Sequence, residues 1–143
     1  GKGVMAVVLA REVIGTNGAE VAAGLFVLAG HNWPVFLQFK GGRGILTALG
    51  GLALMVPVAA IFATATFLTV TALSRYISLG SVIGVMIGAL AILALALAGM
   101  SSDTYMVYGF IACAMLVWQH RDNLQRIRDG NERRLGQPAA KVE

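Results

Sequence analysis

The sequence predicts an all-α fold: a polytopic integral-membrane helical bundle forming one membrane domain over residues 1–143. Three observations predict it. First, 57% of the 143 residues are hydrophobic and only 13% are charged, whereas soluble domains carry about 25% charged residues. Second, the polar residues are gathered into short clusters between long apolar runs. Third, when the runs are read as successive crossings, nearly all the positive charge falls on one side. The same pattern excludes other classes. Cys113 is the one cysteine and lies in an apolar run, so neither a disulfide framework nor a cysteine metal site is available. No metal-ligand spacing is present. The net charge of +4 sits in clusters between spans rather than along one soluble face, which argues for orientation in a bilayer and against nucleic acid.

Taken in order, Val4 to Ile14 is a short apolar run interrupted by Arg11 and Glu12, giving a span over about 3–14. Gly15-Thr16-Asn17-Gly18 is a turn by composition. A second short span follows over about 19–30, entered through Glu20, whose carboxylate suits a helix N-terminus. From Gly44 to Leu73 the chain is apolar for thirty residues, which as one helix would be roughly 45 Å long against a hydrocarbon core of about 30 Å. Pro57 divides it into spans of about 45–56 and 57–73, a short helical hairpin with the proline at a first-turn position. Ser74 to Ser81 reads as a polar break in which Ser78 or Ser81 caps the next helix. Spans over about 82–99 and 105–118 complete the bundle; Tyr105, Tyr108 and Trp118 mark the ends of the last as interfacial rings. Residues 119–143 form a charged tail that begins as a helix and frays after Gly130 and Pro138.

Charge supports this division. With a hairpin at Pro57, ten of the eleven Lys and Arg residues share one side: Lys2, Lys40, Arg43, Arg75, Arg121, Arg126, Arg128, Arg133, Arg134 and Lys141. Arg11 alone faces the other. Were Gly44 to Leu73 a single crossing, Arg75 and the arginine-rich tail would lie on opposite sides. The positive-inside bias therefore favours six spans with a cytoplasmic carboxyl terminus.

Three polar clusters then meet on the cytoplasmic face: His31 to Arg43, Ser74 to Ser81, and His120 to Arg126. Gly41, Gly42 and Gly44 allow the backbone to turn N–H groups toward a ligand, and Lys40 and Arg43 add two cations, so a phosphate is the expected guest. His120 and Asn123 fall three apart and project on one side of the helix leaving the membrane. Together with the hydroxyls of Ser78 and Ser81 they make a phosphate and polyol pocket. A plainer reading stands beside it: a basic loop held at the membrane by its charge, His31 bonding across helix ends, and Arg128, Arg133 and Arg134 serving as anchors. No nucleophile with an adjacent base appears. Because the spans are short, the loops can lie at headgroup level, where they meet a water-soluble phosphate and an acyl chain at once.

The residues also carry a family resemblance. Gly30-His31-Asn32-Trp33-Pro34, followed by Phe39-Lys40-Gly41-Gly42-Arg43-Gly44, resembles the second signature of the bacterial acyl-phosphate:glycerol-3-phosphate acyltransferases, the PlsY family. Arg75-Tyr76-Ile77-Ser78-Leu79-Gly80-Ser81 is similar to that family's Arg-Tyr-x-Ser-x-x-Ser segment. His120-Arg121-Asp122-Asn123-Leu124-Gln125-Arg126, with Gly130-Asn131-Glu132 after it, resembles the third signature. The resemblance implies a seven-span enzyme of the bacterial cytoplasmic (inner) membrane, of which six spans are present here, with its active site on the cytoplasmic side. It implies transfer of an acyl group from acyl phosphate to the 1-hydroxyl of glycerol 3-phosphate, by a monomer without cofactor or metal. Carried over by position, Arg43 binds phosphate with Lys40, Ser81 donates a hydroxyl to it, and His120 with Asn123 holds glycerol 3-phosphate. Gly41, Gly42 and Gly44 shape the loop, with His31, Ser78 and Arg126 around it.

The family's first span and first signature, Ser-Gly-Asn-x-Gly-Ala-Thr-Asn, have no counterpart in these residues, and Arg43 stands where the family commonly has Lys. The expectation is that part of the phosphate site is missing and that the 143 residues are not by themselves a complete enzyme. A small multi-pass transporter or non-catalytic membrane subunit with basic anion-binding loops is the alternative. A transporter is expected to carry polar residues at mid-membrane depth, and the spans over 82–99 and 105–118 are nearly free of them.

Overall fold

Seven helices, and no strand, make up the residues described by the computed structural model, 1–34 and 41–137. Helix α1 (Lys2–Val13) stops at Gly15, whose φ of 72° lets its N–H reach back to the Ala10 carbonyl at 3.1 Å. Thr16 then caps α2 (Asn17–Asn32), its hydroxyl accepting from the Ala19 N–H at 3.3 Å. The expected turn is therefore shorter than its composition suggests: Asn17 and Gly18 already belong to the helix.

Gly44, at φ 74°, leads into α3 (Ile45–Met55). Val56, at φ −140° and ψ 80°, breaks the apolar run, and Pro57 opens α4 (Pro57–Ser74) at the position where its missing N–H has no intrahelical partner to lose. The α4–α5 turn consists of Arg75, held in the left-handed region at φ 62°, and Tyr76, which precedes α5 (Ile77–Leu97). This helix starts earlier than the expected residue 82, and Tyr76, not a serine, occupies its N-cap. Ser78 and Ser81 do not break the helix because their hydroxyls bond to Glu132 and to the Ile77 carbonyl respectively. Helices α6 (Thr104–Gln119) and α7 (Arg121–Arg128) follow, separated by His120 alone.

Consecutive helices α1 to α6 run up and down, so two ends of the bundle can be told apart. At one end Arg11 donates to both Glu20 oxygens, at 2.8 and 2.9 Å, and to the Leu54 carbonyl at 3.0 Å. Tyr105 donates toward Glu20 and Asn17 at 3.0 and 3.1 Å. This network ties together the C-terminal ends of α1 and α3 and the N-terminal ends of α2 and α6. At the other end lie the N-termini of α3 and α5, the C-termini of α2 and α6, and the tail.

Tyr108 occupies the centre. It is 2% exposed, and its hydroxyl donates to the Ala48 carbonyl at 2.7 Å, so it is a core residue and not the interfacial ring its position suggested. Room for it comes from Gly24 and Gly51: a Cβ on Gly24 would approach its ring to 2.8 Å, and one on Gly51 its hydroxyl to 2.7 Å. Trp118 is exposed, with the Arg121 guanidinium 4.6 Å from the centre of its ring. Helices α4 and α5 are long and apolar enough to cross a membrane; α3 and α6 are apolar and shorter. Large apolar side chains such as Phe26, Leu46, Leu73 and Leu97 point outward on most of the helices, as a lipid-facing surface requires.

Candidate active site

Three of the anticipated residues line one cavity of about 430 Å³: Arg43, Ser81 and His120. Each arrives from a different element. Arg43 precedes α3 and is exposed at the mouth; Ser81 lies one turn into α5; His120 closes α6. Below them the walls are apolar, with Leu49, Leu52, Phe67, Ile92 and Leu116 among the lining residues. The cavity is thus amphipathic, with a polar mouth and a greasy interior.

His120 is 1% exposed. Its Nδ1 lies 2.8 Å from the Leu116 carbonyl, which can only accept, so Nδ1 carries the proton and Nε2 is left as an acceptor. Burial pushes the imidazole pKa below its ordinary value; the Leu116 bond and Glu132 oppose this, and the Arg43 charge adds to it. The ring is therefore neutral at pH 7 and offers a lone pair. Ser81 donates to the Ile77 carbonyl at 2.9 Å, so donating to a phosphate would exchange that bond.

Asn123, Ser78 and Arg126 gather instead around Glu132. Asn123 Nδ2 donates to it at 2.7 Å and Arg126 Nε at 2.9 Å, and the Ser78 hydroxyl bonds to it as well. Burial raises the Glu132 pKa, but these three donors and the Arg126 charge outweigh it, and the carboxyl is held below the usual range. Because Asn123 must turn its NH₂ toward the carboxylate, its Oδ1 is left to accept. His120 and Asn123 therefore both present acceptors, which suits hydroxyl groups, while Arg43 suits an anion.

The glycine loop is built by close approach. The Gly42 N–H donates to the His31 carbonyl at 3.2 Å, and a Cβ on Gly42 would strike the His31 ring. One on Gly41 would strike the His31 and Asn32 carbonyls, and one on Gly44 the Asn32 side chain. Lys40 lies outside the described residues. Glu132 was not among the expected site residues; the signal for it was the Gly-x-Glu fragment at Gly130-Asn131-Glu132. Among the described residues no group of His, Cys, Asp and Glu could hold a metal ion.

Known proteins share this arrangement of helices. The family model described as glycerol-3-phosphate acyltransferase matches residues 1–130. A glycerol-3-phosphate acyltransferase 3 of Dehalococcoides mccartyi (strain CBDB1) is 44% identical, over 96% of this chain and 69% of its own. A glycerol-3-phosphate acyltransferase of Thermoanaerobacter sp. (strain X514) is 38% identical, over 95% of this chain and 66% of its own. The crystal structure of PlsY (YgiH), an integral membrane glycerol 3-phosphate acyltransferase, superposes in its glycerol 3-phosphate form with a TM-score of 0.82 at 30% identity, covering 94% of this chain and 66% of that one. Its lysophosphatidic acid form gives the same TM-score and covers 67% of that chain. This chain thus spans about two thirds of the length of these relatives, and it belongs to the glycerol-3-phosphate acyltransferase family.

Proposed function

We propose that this chain forms the greater part of a membrane acyltransferase that moves an acyl group from acyl phosphate to the 1-hydroxyl of glycerol 3-phosphate, releasing inorganic phosphate and lysophosphatidic acid. The observation that carries this reading is the amphipathic cavity, which puts Arg43, Ser81 and His120 at the head of an apolar channel. A substrate that is charged at one end and aliphatic at the other fits such a shape. The family to which the chain belongs and the glycerol 3-phosphate and lysophosphatidic acid forms of PlsY support glycerol 3-phosphate as the acceptor and lysophosphatidic acid as the product.

In this reading the chain supplies six of seven spans as one domain of a bacterial inner-membrane protein acting as a monomer, with the site end and carboxyl terminus cytoplasmic. Arg43, with Lys40, binds phosphate; the Gly41, Gly42 and Gly44 loop is shaped around it by His31; Ser81 exchanges its bond to Ile77 for one to a phosphate oxygen. His120 Nε2 and Asn123 Oδ1 accept from the glycerol hydroxyls, and Ser78 and Arg126 hold Asn123 through Glu132. The 1-hydroxyl oxygen then attacks the acyl carbonyl carbon, the bond from that carbon to the phosphate oxygen breaks, and the hydroxyl proton passes to the acceptor's own phosphate. Acyl phosphate is already activated, so no protein nucleophile is required; positioning and charge stabilisation account for the acceleration.

The full-length protein, purified and given acyl phosphate with glycerol 3-phosphate, is expected to release lysophosphatidic acid and inorganic phosphate in equal amounts. Binding of the anion without turnover would favour a transporter or non-catalytic subunit instead.

A further inference from the structure

The cavity is not equally open along its length. Its lining residues at the site end include Leu46, 83% exposed, Leu68, 58%, and Ile77, 46%. Those at the other end are buried: Leu52 at 8%, Ala63 at 7%, Ala112 at 3% and Ile92 at 1%. The channel is therefore uncovered at its side near the polar mouth and closed below. Gly88, about 10 Å below Ser81, brings α5 close to α3 and α4 as a side wall, where a Cβ would be 3.1 Å from Ala63 and 3.5 Å from Leu52. The floor is the contact of α6 with Ile92: a Cβ on Gly109 would be 2.7 Å from Ile92 Cδ1.

Helix geometry gives the depth. Ser81 at the mouth and Ile92 at the floor are eleven residues apart on α5, about 16 Å at 1.5 Å per residue. An extended chain advances about 1.2 Å per bond, as backbone dimensions indicate. The channel therefore takes about thirteen bonds before the chain must bend. Ala112 is eight residues from His120 on the antiparallel α6, which places it about 12 Å down, above the floor.

We propose that Ile92 sets the longest saturated acyl chain the enzyme uses at full rate, and that the small side chain at Ala112 keeps the lowest quarter of the channel open. The proposal rests on the acyl-transfer reading above and adds the residues that measure the donor. In the geometry described, the carbonyl stays beside Arg43 and His120 while the tail descends. A methylene that no longer fits loses its burial, at about fourfold in kcat/KM per methylene.

The test measures kcat/KM for a series of saturated acyl phosphates of about eight to about eighteen carbons, at saturating glycerol 3-phosphate, in the full-length protein and two variants. Ala112→Leu, which fills the channel above the floor, is expected to shift the optimum about three carbons shorter, and Ile92→Ala to shift it about two carbons longer, in the same units of chain length. Opposite shifts cannot come from general loosening, and where one variant does not fold, the direction of the shift in the other carries the test. An unchanged profile in a variant that turns over, or a shift of both in the same direction, overturns the proposal while leaving acyl transfer intact. No transfer by the unsubstituted protein with any chain overturns the acyl-transfer reading, and the proposal with it.

Discussion

Arg75 and Leu135, sixty residues apart, bond each other twice: the Leu135 N–H donates to the Arg75 carbonyl at 2.7 Å, and Arg75 Nη2 donates to the Leu135 carbonyl at 2.8 Å. Arg134 adds a bond to the Tyr76 hydroxyl at 3.1 Å and stacks on that ring at 5.4 Å. The tail is thereby strapped across the α4–α5 turn. That strap carries Glu132 to the point where it meets Ser78 from α5 and Asn123 and Arg126 from α7.

Replacing Glu132 tests the strap's role. Glu132→Gln keeps the shape but puts an NH₂ among three donors, so one charge-assisted bond becomes a donor–donor contact. The expected cost is about 2–3 kcal/mol of stability, with kcat/KM for glycerol 3-phosphate lowered about a hundredfold as Asn123 loses its orientation. Thermal unfolding in detergent and steady-state kinetics on the full-length protein check both. Stability lost with unchanged kinetics would make Glu132 a tether only.

Arg43 separates charge from geometry. Arg43→Ala removes the cation at the mouth and is expected to raise KM for a phosphate-bearing substrate about tenfold to a hundredfold, the worth of a charge-assisted hydrogen bond. Arg43→Lys keeps the charge without the planar fork and is expected to recover most of the loss. Product-inhibition constants for inorganic phosphate should move in parallel.

The pH profile follows from His120. Burial lowers its pKa, and the neutral ring is the form with an acceptor at Nε2. Activity is therefore full at neutral pH and is lost as pH falls through the lowered value, placing the acid limb of kcat/KM below about 6.5, the ordinary histidine value. Stability falls in the same direction, because over that window the unfolded chain binds the extra proton and the folded one does not. Glu132, held below the usual carboxylate range, contributes fully above that range, and its contribution is lost only as pH drops through its folded value. An acid limb above about 6.5 would contradict this assignment.

The far end of the bundle gives a contrasting outcome. Glu20 is 4% exposed, and Arg11 is its cationic partner. Arg11→Gln leaves that carboxylate buried without a charge partner and is expected to cost about 3 kcal/mol of stability. Because the network lies at the end opposite Arg43 and His120, kcat/KM well below the unfolding temperature should hold. The double variant with Glu20→Gln should recover part of the stability loss.

Much of this arrangement was legible in the sequence because it depends on local chemistry. Pro57 had to interrupt the long apolar run. The glycines at 41, 42 and 44 marked the loop, although what requires them here is close packing, a Cβ at each colliding with His31 or Asn32, and the Gly42 N–H is taken by the His31 carbonyl. The approach of Arg43, Ser81 and His120 followed from helices alternating in direction. What was misread depends on partners distant in sequence. A serine near a helix start can cap or back-bond, and Ser78 and Ser81 chose Glu132 and the Ile77 carbonyl. Tyr108 was read as interfacial because nothing in its neighbours reveals that Ala48, sixty residues away, supplies an acceptor. Glu132 stood in the Gly-x-Glu fragment after the third signature but was given no role, because two of its three donors, Ser78 and Asn123, come from elements its neighbours do not reveal.

The most direct test is the rate of acyl-phosphate-dependent acylation of glycerol 3-phosphate by the full-length protein and its His120→Ala variant, each reconstituted at matched folded concentration. The expected result is conversion to lysophosphatidic acid by the unsubstituted protein and a loss of about a hundredfold or more in the variant, as for removal of one positioned hydrogen-bonding group. Normal turnover by His120→Ala would contradict the account.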